Sequence, residues 1–276
     1  MGTALLFPGQ GAQYVGMDAG LDRATFEEAD DALGFALSWV IREGPEGRLA
    51  ETEITQPAIL ATSIAALRAR PVDDVVAAAG HSLGEYGALV AAGALAFADA
   101  VRLVRLRGRA MQQAVPLGVG AMAAIVGPSP EEVQALCDAC AEGEVVEIAA
   151  LNCPGQTVVA GHVGAVERVL ARSQGRRLPV SAPFHCSLLA PAAERLREAL
   201  ADVRLGPCRF PVVHDVDARP SDDIRARLVE QVVKPVRWVE CVATLKALGA
   251  TSAVELAPGR TLAGLCKRID RAWTVR

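Results

Sequence analysis

Five residues constrain this chain more than any others: Gly80-His81-Ser82-Leu83-Gly84, set between an apolar run at 75–79 and a helical run at 86–92. Glycines on both sides of a serine permit a tight, strained passage from strand to helix. That passage lifts the hydroxyl to the end of a sheet and the N-terminus of a helix. The backbone N–H of Leu83 would then face an oxygen that gains negative charge during reaction. A glycine-rich turn capped by a serine would satisfy the same letters. The strand before and the helix after favour the nucleophile.

Such an elbow needs a parallel sheet, and the remaining pattern supplies one. Short apolar runs at 4–7 and 75–79 alternate with helical patterns at 55–70, from 83 onward, and at 99–115. This spacing predicts parallel strands covered on both faces. Near Pro116 the texture changes. A strand-like run at 121–126 is followed by Ser129-Pro130-Glu131-Glu132, which supplies a cap, a first-turn proline and a capping box. Runs at 145–151 and 157–160 flank a turn at Asn152-Cys153-Pro154-Gly155, then come a helix at 163–173 and a strand at 177–180. The order β-α-β-β-α-β over 117–181 predicts a ferredoxin-like subdomain. It is inserted into an α/β-hydrolase-like, parallel-sheet large subdomain formed by 1–116 and 182–276. The junction of the two predicts a ligand cleft.

A serine hydroxyl needs a base, and the chain has four histidines. His81 adjoins the serine, but a neighbour across a tight turn points elsewhere. His162 opens a helix of the insertion and reads as a surface or capping group. His214 ends the strand-like Phe210-Pro211-Val212-Val213. His185 lies where the insertion returns to the main body, facing the cleft, and is the first choice; His214 is the second.

In the helix at 99–115, Ala100, Leu103, Val104, Met111 and Ala114 form an apolar stripe, with Arg102, Arg105 and Arg109 on the opposite, solvated face. Arg107 falls in the middle of the stripe. A guanidinium keeps its charge, so burying one without an anion costs several kcal/mol. It either has an internal Asp or Glu partner or awaits a carboxylate substrate, which it can grip with two parallel hydrogen bonds.

Composition narrows the field. A net charge of −4 gives no reason to expect nucleic acid or an anionic membrane as partner. No run approaches the ~20 apolar residues of a membrane span. The start of the chain lacks the basic residues and small-residue cleavage site of a signal peptide, and seven cysteines without paired spacing point to a reducing compartment, the cytoplasm. Cys137 and Cys140 form a C-x-x-C, with no second pair or nearby histidine to complete a metal site. The loop Phe7-Pro8-Gly9-Gln10-Gly11-Ala12-Gln13 lacks the Lys-Ser/Thr of a phosphate loop.

Taken in order, F-P-G-Q-G-A-Q at 7–13, T-Q-P-A at 55–58, G-H-S-L-G-E-Y at 80–86, R-G-R-A-M-Q at 107–112, G-A-M-A-A-I at 120–125, N-C-P-G-Q at 152–156, S-A-P-F-H at 181–185 and Q-V-V-K-P-V-R-W at 231–238 resemble the malonyl-CoA:acyl-carrier-protein transacylases and the acyltransferases of polyketide synthases. The likeness spans 7–268. It implies a Ser82–His185 pair, with the backbone carbonyl of Gln231 in place of a triad aspartate, and an oxyanion hole from the N–H groups of Gln10 and Leu83. It puts Arg107 on the substrate carboxylate, with Phe184, Met111 and Asn152 also expected at the substrate. Phe184 occupies the position that crowds an α-methyl branch, a difference worth ~1–3 kcal/mol. The substrates implied are malonyl-CoA and a phosphopantetheinylated acyl carrier protein, with no bound cofactor or metal, for a cytoplasmic, monomeric enzyme of fatty-acid synthesis. The alternatives are a stand-alone polyketide acyltransferase and, in a different class, an acyl-thioester hydrolase. An ordinary α/β-hydrolase would also carry an H-G-G-G-type loop, which this sequence lacks.

Overall fold

The computed structural model describes residues 2–276. β1 (Gly2–Phe7) leads through α1 (Arg23–Leu33), α2 (Leu37–Glu43), α3 (Glu46–Leu49) and α4 (Thr52–Ala69) to β2 (Val75–Gly80), α5 (Gly84–Ala91) and α6 (Phe97–Ala114). A second group comes next: β3 (Gly120–Val126), α7 (Pro130–Cys140), β4 (Val146–Cys153), β5 (Gln156–His162), α8 (Val163–Ala171) and β6 (Gly175–Arg177). The chain returns through a short 3-10 turn to α9 (Ala190–Ala201), β7 (Val212–Val213), α10 (Ile224–Gln231), α11 (Trp238–Ala247), β8 (Ala250–Glu255), α12 (Thr261–Ile269) and β9 (Thr274–Val275).

β7-β2-β1-β8-β9 form a parallel sheet in that order, and β4-β5-β3-β6 form an antiparallel one. The fold is mixed α/β, as the alternation of runs predicts. Residues 4–7 and 77–80 are buried throughout, because a parallel sheet is covered on both faces. In the antiparallel sheet the side chains alternate with period two. Ala121, Ala123 and Ile125 of β3 join a core with Val133 and Cys137 of α7 and Val166 of α8, whereas Met122 and Ala124 face the main core. The C-x-x-C cysteines are therefore packing residues, and burial pushes the Cys137 thiol up to about 12. At α7 the capping box forms as its letters predict: Ser129 Oγ accepts from the Glu132 N–H, and Glu132 Oε2 accepts from the Ser129 N–H.

Four boundaries differ from the sequence reading. α4 and α6 begin earlier, at Thr52 and Phe97. β4 runs through Asn152 to Cys153, so the hairpin turn shrinks to Pro154-Gly155, with Gly155 at φ 71°. β6 occupies Gly175–Arg177; the Leu178 N–H still donates to Met122 O of β3 (2.9 Å), but residues 178–180 lie beyond the strand. No helix among the described residues is long and apolar enough to cross a membrane.

Two sets of contacts hold the surroundings of the elbow in place. α4 is buried on every side from Ile54 to Ala65 and meets α6 closely at Gly108, where an added Cβ would lie 2.5 Å from the Thr52 carbonyl oxygen. Edge strand β4 is tied to the main body. The Leu151 N–H donates to Val236 O (2.8 Å), the Val236 N–H donates to Ala149 O (3.0 Å), and Glu147 accepts from the Ser187 N–H and Oγ–H.

The elbow glycines are steric necessities. A Cβ on Gly80 would stand 1.9 Å from the Gly84 carbonyl carbon, and one on Gly84 would stand 2.1 Å from Phe7 O. Both obstacles are backbone, which cannot swing aside. Gly84→Ala is therefore expected to destabilise the protein by about 3 kcal/mol or more, read as a large fall in melting temperature. A melt within a few degrees of the parent would refute this account of the turn.

Candidate active site

β2 ends at Gly80 and α5 begins at Gly84, so Ser82 sits at the apex of the connection with φ 55°. A left-handed conformation costs a non-glycine residue of order 1–3 kcal/mol and persists only where its surroundings enforce it. His185 is held in the same region, at φ 63°. These two strained residues meet: Ser82 Oγ lies 2.7 Å from His185 Nε2. His185 Nδ1 lies 2.8 Å from the Gln231 carbonyl oxygen. That oxygen ends α10, where the last carbonyls have no intrahelical donor and remain free to accept. The contact places the imidazole proton on Nδ1 and leaves the Nε2 lone pair facing the serine.

Burial first, and then the neighbouring Arg107 cation, push the His185 imidazole down to about 3, although the Gln231 carbonyl pulls the other way. The ring is neutral at physiological pH, the state a general base requires.

Arg107 is 2% exposed. Its Nη2 donates to Ser82 Oγ (2.9 Å) and Gln231 Oε1 (2.9 Å), and its Nη1 donates to Gln56 Oε1 (2.8 Å). Its Nε has no partner, and no carboxylate lies in ion-pair range of it among the described residues. Of the two readings of a buried arginine, an internal salt bridge is thus absent. A cation held by neutral dipoles beside a serine hydroxyl has the chemistry to take a carboxylate.

The other expected residues fall around this centre. The Gln10 loop packs on the elbow, where a Cβ on Gly9 would lie 2.6 Å from His81 O. The Gln10 and Leu83 amides find no acceptor among the described residues. Asn152 Oδ1 lies 2.9 Å from His81 Nε2, which anchors the residue before the serine. Phe184 is buried directly before His185. Met111 reaches the centre indirectly: its sulfur contacts Gln56 Nε2, and Gln56 in turn holds Arg107.

Two histidines differ from their sequence readings. His214, second choice as base, is wholly buried, with Nδ1 2.6 Å from Glu85 Oε1; a ring engaged with a buried carboxylate is not free to serve Ser82. His162 caps nothing on α8; its Nδ1 accepts the Val145 N–H instead.

Gln56, Glu85 and Asp215 escape sequence reasoning. Glu85 Oε2 accepts from the Asp215 N–H (3.0 Å) and Gln231 Nε2 (2.8 Å). Burial alone would raise the Glu85 carboxyl, but His214 and these hydrogen bonds hold it below its ordinary value. Burial would lower His214, and Glu85 raises it instead, so the two form an ion pair. Asp215 is pushed well above the carboxylate range, by burial and then by Glu85. The one signal for Glu85 is its place in the E-Y pair of the elbow motif, one turn past the serine.

A scan of protein families matches residues 4–269 to the acyl transferase domain. The chain belongs to this family. It is 45% identical to the malonyl CoA-acyl carrier protein transacylase of Escherichia coli K12, over 96% of this chain and 92% of that protein. It is 44% identical to the transacylase of the same name from Bacillus subtilis 168, over 97% and 90%. Among solved structures, the malonyl CoA-acyl carrier protein transacylase of Coxiella burnetii superimposes with a TM-score of 0.96 at 41% identity, covering 100% of this chain and 93% of that one. A malonyl-transacylase solved in complex with a type II polyketide acyl-carrier protein gives 0.96 at 42%, covering 100% and 95%.

Proposed function

We propose that this chain transfers a malonyl group from malonyl-CoA to the phosphopantetheine thiol of an acyl carrier protein, through an acyl-Ser82 intermediate, supplying fatty-acid synthesis. The observation that carries this reading is the pairing of Ser82 with a neutral His185 beside a buried Arg107 that lacks a carboxylate partner. The names of the relatives support the same substrates.

His185 Nε2 takes the Ser82 proton as Oγ attacks the thioester carbonyl. The oxyanion rests on the Gln10 and Leu83 amides; one such donor is typically worth ~10²–10³ in rate. Collapse expels the CoA thiolate, which takes the proton back from His185. The carrier's thiol then repeats the sequence in reverse. A thioester becomes an ester and then a thioester again, so no electron or phosphoryl group changes hands and no cofactor is called for. Arg107 turns from Ser82 Oγ to the malonyl carboxylate, and Phe184 crowds an α-methyl branch. We assign 117–181 to the inserted subdomain and the rest to the catalytic one, in a cytoplasmic monomer.

Intact mass spectrometry after brief incubation with malonyl-, acetyl- and methylmalonyl-CoA, followed by a holo acyl carrier protein, tests this directly. The expected result is a malonyl adduct on Ser82 that moves to the carrier. An adduct lost to water before the carrier arrives would make the protein a hydrolase instead.

The pH profile is a second test. Protonating His185 removes the base, so the rate falls only as pH drops towards the folded value of about 3 rather than through 6.5. The acylation kcat/KM should therefore stay level from about pH 8 to about pH 5, where an unperturbed imidazole would lose more than tenfold. A decline through 6.5 would contradict the buried, neutral ring.

A further inference from the structure

We propose that Asp215 is a positioning residue for acyl transfer: its carboxyl holds the Ser82 main-chain N–H and so fixes the strained elbow against His185. The inference rests on the reading of Ser82 as the nucleophile.

Topology brings the two together. β7 pairs in parallel with β2 at Ala78↔Val212 and Ala79↔Val213. Continuing that register past both strand ends carries Asp215 alongside His81 and Ser82. Asp215 Oδ2 accepts from the Ser82 N–H at 2.7 Å and from Gln231 Nε2 at 3.1 Å. The same Gln231 amide donates to Ser82 O (3.1 Å) and accepts from Arg107, while its backbone carbonyl holds His185. Asp215 is fixed in turn: its N–H donates to Glu85 and its carbonyl accepts from the Arg237 N–H (3.1 Å). A residue at positive φ keeps that conformation only if its neighbours over-determine it, and here the constraint on the Ser82 amide is one buried carboxyl.

The carboxyl is wholly buried, and its Oδ1 has no hydrogen-bond partner among the described residues. Burial and the neighbouring Glu85 carboxylate both favour the protonated form of such an acid, the direction found for Asp215. Oδ2 is the oxygen that accepts from the Ser82 N–H. Asparagine can reproduce the acceptor; alanine and leucine cannot.

The test compares Asp215→Ala, Asp215→Asn and Asp215→Leu with the parent. The readouts are rapid-quench acylation by malonyl-CoA, giving maximal rate and half-saturation separately, labelling of Ser82 by a fluorophosphonate, and the melting temperature. In the alanine variant, maximal acylation and labelling should each fall by about 10²-fold, the usual consequence of a small misplacement of a reacting group. Half-saturation should stay within about threefold, and the asparagine variant should regain at least about tenfold of the loss. The leucine variant, which fills the space without an acceptor, replaces alanine in the comparison if the alanine protein does not fold. Parent-like rates in the variants without an acceptor would overturn the proposal, as would an asparagine variant as slow as they are, or a change in half-saturation alone. A parent protein that is labelled by the fluorophosphonate but not acylated by malonyl-CoA would refute the substrate reading, leaving labelling rates to decide the role of Asp215.

Discussion

Replacing Arg107 with alanine should lower kcat/KM for malonyl-CoA by about 10²–10³-fold while changing that for acetyl-CoA by less than about tenfold. The magnitude reflects removal of one partner of a buried, hydrogen-bonded charge pair, which costs about 2–5 kcal/mol. The asymmetry comes from geometry. In the free protein the guanidinium is held by Gln56, Gln231 and Ser82 Oγ, all neutral. Only a substrate with a free carboxylate gives it an anion within hydrogen-bond reach, so only that substrate loses a direct ion pair when it goes. Acetyl transfer loses the weaker hydrogen bond to Oγ. Parallel measurements with the two thioesters decide the matter: an equal fall in both would mean that Arg107 organises Ser82 and reads no carboxylate.

The second large effect is expected at His185. His185→Ala should reduce the maximal acylation rate by about 10²–10⁴-fold, the range for loss of a positioned general base. Combining it with Ser82→Ala should add almost nothing to the loss from Ser82→Ala alone, because residues that act as a unit are strongly non-additive. The comparison also isolates His185 from His214, which is sequestered by Glu85. If the alanine variant retained more than about a tenth of the parent rate, the base would have to lie elsewhere.

Much of this centre is legible in the amino-acid sequence. The elbow announces itself because G-x-S-x-G between a strand and a helix has few other uses, and Arg107 because a permanent cation interrupts an apolar stripe. The ferredoxin-like order is readable from alternating periodicities, and the cap at Ser129 from its own letters. The supporting residues are hidden for physical reasons. Gln56 lies in α4, which is buried all round and carries no polar face to mark one position as special. Glu85 stands in the first turn of α5, where an acid normally faces solvent and favours the helix dipole; here it is fully buried. Asp215 belongs to a polar stretch after a two-residue strand, and only the pairing of β7 with β2 makes it a neighbour of Ser82. Sequence periodicity reports which face of an element is buried, not which elements share an edge.

The tethers of β4 have a consequence for modularity. Asn152 reaches the residue before Ser82, Glu147 grips the segment just after His185, and Ala149 and Leu151 hold the stretch downstream of Gln231. One strand thus touches all three lengths of chain that supply the proposed nucleophile, its base and the base's acceptor. A chimera that grafts the antiparallel sheet from a distant homologue would inherit foreign side chains at these anchor points. Recombination that leaves the recipient's 147–152 in place, and exchanges only α7, α8 and the outer loops, should preserve turnover far better than a cut at the insertion's ends.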